Sequence, residues 1–173
     1  NKWGINASVG NEKLTIGNTK TGSIILNDTF ENDAYFQLGI FNHLAKYTMT
    51  IQEINHETFM YWHQLDIRFF DIFKLTALEG ALINNPFEIR FLVPAKVYHS
   101  YSFWKQYDEV TNDVYDLYYN EANCCSYLGV AAELTPVDNM RIYFLYAMNE
   151  IQLPNEWVYK FLSYPDSFGI QLG

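Results

Sequence analysis

Gln64, Asp66 and Arg68 follow one another at intervals of two, and Glu79, Glu133 and Arg141 recur in segments that alternate in the same way. Residues two apart on a strand share a face, so these six read as a polar field on one side of a sheet. Two chemistries are open to such a field. Paired carboxylates such as Asp66 and Glu79 are the equipment of glycoside hydrolysis, but that reaction needs a fixed separation and a cleft, and the spacing supplies neither. The plainer chemistry is mutual neutralisation. Charges enclosed in a narrow lumen need partners, so the expected role is a lumen polar network that stiffens the wall, with a pore-lining or ligand-binding field as the alternative.

The remaining reactive residue types form no recognisable constellation. His43, His56, His63 and His99 have no metal-ligand spacing. Ser102 lies near His99 without an orienting acid, which makes no triad. There is no GxSxG and no glycine-rich phosphate cradle. The expectation is a non-enzyme without cofactor or metal. Tyr98, Tyr101, Trp104 and Tyr107 offer rings that stack on sugars, or that pack a loop or a lipid-interface girdle.

The elements that must position these residues are strands. Alternation marks Tyr35–Phe41, Lys46–Ile54, Tyr61–Phe70, Lys74–Leu82, Ser126–Thr135, Met140–Asn149 and Ser167–Leu172. Tight turns are expected at Asn42–Ala45, Asp71-Ile72 and Pro136–Asn139. The intervening connections, Asn55–Met60, Ile83–Asn123 and Glu150–Asp166, are longer. Ile83–Asn123 reads mostly as loop, with a strand-like alternation at Phe87–Val93. Short turns at one end and longer connections at the other are the habit of outer-membrane barrels, and strands of this length suit a tilted membrane span. The expected fold is therefore all-β, an antiparallel up-and-down transmembrane β-barrel. About eight strands fall in this chain, as one domain over 1–173 or part of a larger barrel.

The composition is compatible with that reading. Aromatic residues make up 18 % of the 173 residues, which interfacial girdles would explain. No run of 18 apolar residues exists to form a membrane helix. A net charge of −9 argues against nucleic acid as a partner. The adjacent Cys124 and Cys125 are expected as unbridged thiols, because neighbours pair only with strain. The start at Asn1 suggests a processed or excerpted chain.

Three stretches carry a resemblance. The first is Gly10–Gly17 with Thr21–Asp28. The second is Leu65–Asp71 with Lys74–Thr76 and Glu79–Leu82. The third is Met148–Pro154 with Ser167–Gly169. In order and spacing they resemble outer-membrane β-barrels of the capsule assembly protein Wzi type, including spirochaete relatives. Ile16-Gly17-Asn18-Thr19 departs from that family's WGPG. The resemblance implies a monomer in the bacterial outer membrane that contacts lipid and binds or organises surface polysaccharide, and it makes this chain an excerpt of a longer protein. It also implies that Lys20, Thr21, Asn27 and Asp28 form hydrogen bonds to a glycan on the long-connection side, beside Tyr98, Tyr101, Trp104 and Tyr107. Two alternatives remain open. One is a passive, porin-like channel without a specific glycan; the other is a soluble β-barrel or sandwich binding an apolar ligand.

Overall fold

A computed structural model describes residues 2–17, 19–27, 33–84, 87, 89–94, 97–98, 124–149 and 167–173. Eight strands run as β1 (Gly4–Glu12), β2 (Asp33–Phe41), β3 (Ala45–Asn55), β4 (Thr58–Phe69), β5 (Phe73–Asn84), β6 (Cys124–Leu134), β7 (Ile142–Asn149) and β8 (Ser167–Leu172). Each pairs antiparallel with its neighbour in sequence, in one up-and-down sheet ordered β1 to β8. The sheet is not closed, and β1 and β8 are its edges. All seven strands anticipated from alternation are present, within a few residues of their expected bounds. β1 was not anticipated, because its apolar positions Ile5, Ala7 and Val9 alternate with Asn, Ser and Gly in a sequence otherwise rich in turn formers.

Turn chemistry explains the pairing. Asn42 accepts from the backbone N–H of Leu44 and of Ala45 through Oδ1, an Asx turn between β2 and β3. Phe70 and Asp71 both adopt positive φ, at 51° and 58°, which matches the twist a hairpin turn needs. The β6–β7 turn places Asn139 at φ 63°. The backbone N–H of Arg68 donates to Leu44 (2.7 Å), and that of Thr135 donates to Ile72 (2.8 Å). The three turns therefore sit side by side at one end of the sheet. At the other end the expected six-residue link over Asn55–Met60 contracts to the turn His56-Glu57. Phe59 and Tyr61 continue the alternation of β4, so the ladder runs on to Asn55↔Thr58. The alternation at Phe87–Val93 does not produce a strand: Ile89–Leu92 forms one 3-10 turn.

The sheet carries a buried cluster on each face. On one, Tyr61, Ala81 and Ile83 pack with Phe91 and Tyr98. On the other, Trp62 and Leu78 pack with Ile16 from the segment between β1 and β2.

Candidate functional site

Register decides which residues share a face. Gln37 pairs with Thr50, Thr50 with Trp62, Gln64 with Leu78, Thr76 with Ala131, and Ala131 with Leu145. One face thus collects Asn6, Ser8, Gln37, Thr48, Thr50, Gln52, Gln64, Asp66, Arg68, Lys74, Thr76, Glu133 and Gln171. The other collects Ile5, Val9, Phe36, Leu38, Ile40, Leu65, Phe69, Ile142, Phe144, Phe168, Ile170 and Leu172. Exposure is inverted relative to polarity. Thr50 is 0 % exposed and Thr76 6 %, whereas Val9 is 82 % exposed and Leu172 72 %.

The polar face is occupied along much of its length by residues 13–17 and 19–27. Ile16 bridges to Leu26, and the Ser23 hydroxyl donates to the Ile16 carbonyl, so the segment folds back on itself. Gly17 and Gly22 take φ of 94° and 87°, conformations that L side chains rarely adopt. Leu14, Ile16, Ile25 and Leu26 pack on Trp62, Leu78, Met60 and Tyr127. The tip is latched to β8 through one side chain. Gln171 donates through Nε2 to Thr21 Oγ1 (3.0 Å) and to the Gly22 carbonyl (2.8 Å), and its Oε1 accepts from the Ile24 N–H (3.3 Å). Room for this plug comes from rings that lie flat against the wall. Phe41, Tyr127 and Tyr143 cover Gly4, Gly80 and Gly173, where a Cβ would collide with them, and Tyr35 lies close over Gly10.

Beneath the plug, toward the turn end, is a cavity of about 330 Å³ between the plug residues Thr15, Ile16, Gly17 and Thr19 and the β4–β6 wall. Asp66 there is saturated with donors: Lys74 Nζ at 3.1 Å, Gln64 Nε2 at 2.8 Å and Thr76 Oγ1 at 2.6 Å. Glu133 pairs with Arg141 at 3.8 Å, and the Arg141 guanidinium lies 5.8 Å from the centre of the Tyr143 ring. Gln64, Asp66, Glu133 and Arg141 thus lie near one another on one face, with Arg68 on the same face one row nearer the turn. Glu79 does not join them. The turn over Phe70–Ile72 pairs Phe69 with Phe73, so even positions of β4 meet even positions of β5. Glu79 consequently opposes His63 on the apolar side. Lys74 and Thr76 were missed, although their spacing of two, counted across that turn, was a usable signal.

Lys20 and Thr21 fall elsewhere than expected. Thr19 lines the cavity with Lys74 and Glu133, and Thr21 meets Gln171 near the end of β8. Both contacts lie toward the turn end, because the plug descends the polar face, so this tip is not on the long-connection side. Asn27 rests against Gly22, and its Oδ1 is buried without a hydrogen-bond partner. Tyr98 is 0 % exposed; its hydroxyl donates to the Phe91 carbonyl (2.8 Å), and its ring stacks on His63 with centroids 4.5 Å apart. Its expected role as an open stacking surface is replaced by a packing role, since burying the ring beside Phe91, Tyr61 and His63 removes more apolar area from water. Asp28, Tyr101, Trp104 and Tyr107 lie outside the described residues. Among the described residues no cluster of His, Cys, Asp or Glu is arranged to hold a metal ion, and Cys125 is exposed and not in a disulfide.

No family model, no curated protein and no solved structure matches the chain.

Proposed function

We propose that this chain forms wall of a transmembrane β-barrel in the bacterial outer membrane, with a plugged polar lumen, and that it serves as a non-enzymatic holder of surface polysaccharide. The observation that carries the membrane reading is the inverted exposure of the two faces. Twelve large apolar side chains, from Ile5 on β1 to Leu172 on β8, stand exposed on one face. The opposite face buries Thr48, Thr50, Gln52 and Thr76. Water-soluble sheets do the reverse, and exposed apolar surface of this extent, flanking the part of the face that Phe91 and Tyr98 cover, marks contact with lipid or with another protein. β1 to β6 run from 9 to 12 residues, the length a tilted span requires.

The polysaccharide role rests on the Wzi-type resemblance of the three quoted stretches. The long-connection rim supports it chemically, since Asn55, Thr58, Asn84, Asn149 and Ser167 place amides and hydroxyls there. Lumen charges pair with one another, which suits a wall more than a catalyst. A passive channel is less well supported, because the plug covers much of the polar face.

Two measurements test the reading. The purified chain should fold in detergent or vesicles and migrate as a compact species until boiled, while aggregating in detergent-free buffer. A well-folded detergent-free monomer would overturn the membrane assignment. Separately, cells producing the full protein with Asn84 and Asn149 both changed to Ala should retain less surface glycan at equal barrel abundance. Unchanged retention would remove the glycan role and leave the barrel.

A further inference from the structure

The turn end of the polar face carries a belt of charges. Lys46 on β3 opposes Asp66 on β4, Arg68 on β4 opposes Lys74 on β5, Lys74 opposes Glu133 on β6, and Arg141 leads into β7. Four cations and two carboxylates leave this belt at +2, against −9 for the whole chain. Asp71 and Asp138 are on the turns, outside this face.

Three features set the chemistry of the adjoining cavity. First, the two carboxylates are partnered: Asp66 receives three donors, and Glu133 forms an ion pair with Arg141 at 3.8 Å. Second, donor capacity is in surplus. An ammonium has three N–H groups and a guanidinium five; the Lys74 side chain is 42 % exposed and pairs with Asp66 through one contact. Third, Arg68 and Lys74 are directly opposed across the β4–β5 ladder. Like charges in that position repel, and an anion between or beside them removes the penalty. Among the described residues no aromatic ring lines the cavity, which disfavours a site built to stack a neutral sugar.

We infer that this cavity, roofed by Thr15, Ile16, Gly17 and Thr19 of the plug and walled by Lys74, Thr76, Gln64 and the Arg141-paired Glu133, is a binding site for a small oxyanion of the carboxylate or phosphate class. The anion enters from the turn end, where Arg68 and Lys46 steer it, and Lys74 receives it. It arrives free in solution or as the charged substituent of a monosaccharide. This inference rests on the barrel reading for its access route but not for its chemistry.

The test is calorimetric titration of the folded full chain at low ionic strength, with inorganic phosphate, glucuronate and glucose as separate probes. Phosphate and glucuronate should bind saturably and glucose should not. Phosphate binding alone places the site with free inorganic anions, and tighter glucuronate binding places it with acidic sugars. Lys74→Gln should weaken anion binding at least tenfold. Arg68→Gln changes an exposed side chain and should weaken it severalfold without disturbing the fold, so it decides the matter if Lys74→Gln fails to fold. Raising the salt should weaken binding for both anions. No anion binding, equal binding of glucose, or binding indifferent to both substitutions would overturn the inference. The titration runs in whichever solvent keeps the chain folded, so failure of the membrane reading shows separately, as folding without detergent.

Discussion

Leu38→Arg separates a lipid-facing wall from a water-facing one with a single side chain. β2 has nine residues and its midpoint is Gln37. At ~3.3 Å per residue and a tilt of ~40°, such a strand rises ~23 Å, close to the ~25 Å apolar band of an outer-membrane barrel. Leu38 lies one residue from the midpoint, or ~2.5 Å in height by the same arithmetic. It is on the exposed apolar face, flanked by Ala7 on β1 and Met49 on β3. If that face meets lipid near the midplane, arginine there costs ~2–4 kcal/mol. If it meets water, a charge at a position 37 % exposed should change stability by roughly 0.5–1 kcal/mol at most. Ile40, two residues nearer the turn, should show a smaller penalty, and Ser8→Arg on the polar face a smaller one still. The assay is equilibrium unfolding by guanidinium in phospholipid vesicles, followed by tryptophan fluorescence. Equal effects at Leu38 and Ser8, or a Leu38→Arg cost below about 0.5 kcal/mol, would refute the assignment of faces.

Other substitutions probe the parts that position the site. Gly80→Val drives a side chain into the Tyr127 ring that covers it; a loss of about 1–3 kcal/mol is expected from overpacking, and pairing it with Tyr127→Ala should recover part of that loss. Gln171→Ala removes the three hydrogen bonds that hold the plug tip to β8, so a cysteine placed at Thr19 should react with a soluble maleimide about tenfold faster, each lost bond contributing ~0.5–1.5 kcal/mol to closure. An unchanged rate would mean that the apolar contacts of Ile16 and Leu26 alone hold the plug. Phe70→Gly relieves a bulky residue held at φ 51° while 90 % exposed; the unfolding midpoint should rise, by an amount corresponding to ~1 kcal/mol or less.

The strand content was legible because alternation is local. Phe36, Leu38 and Ile40 declare their common face without reference to any other strand, and so do Gln64, Asp66 and Arg68. Grouping across strands was not legible in the same way. Placing Glu79 with Gln64 required the length of the Phe70–Ile72 turn, and one residue more or less in that turn exchanges the faces. Lys74 and Thr76 were overlooked for the same reason. The plug was harder still. Leu14, Ile16, Ile25 and Leu26 form an apolar set among turn formers, and nothing local says which face of which strands they cover.

Taken alone, the sequence determined that this protein is built of antiparallel strands, each with one apolar and one polar side, joined by turns that Asn42, Asp71 and Asn139 favour. Backbone stereochemistry forces the period of two, and the turn residues need only their own conformational preferences. Tertiary structure alone decided that residues 13–17 and 19–27 cover the polar face and reach its turn end, and that Tyr98 lies against His63 instead of facing solvent. It also decided that Lys46, Asp66, Arg68, Lys74 and Glu133 align into one belt. Those outcomes depend on register summed over successive hairpins and on segments that find their partners far away in the chain, where free energy is set by complementary surfaces and not by any neighbour in sequence.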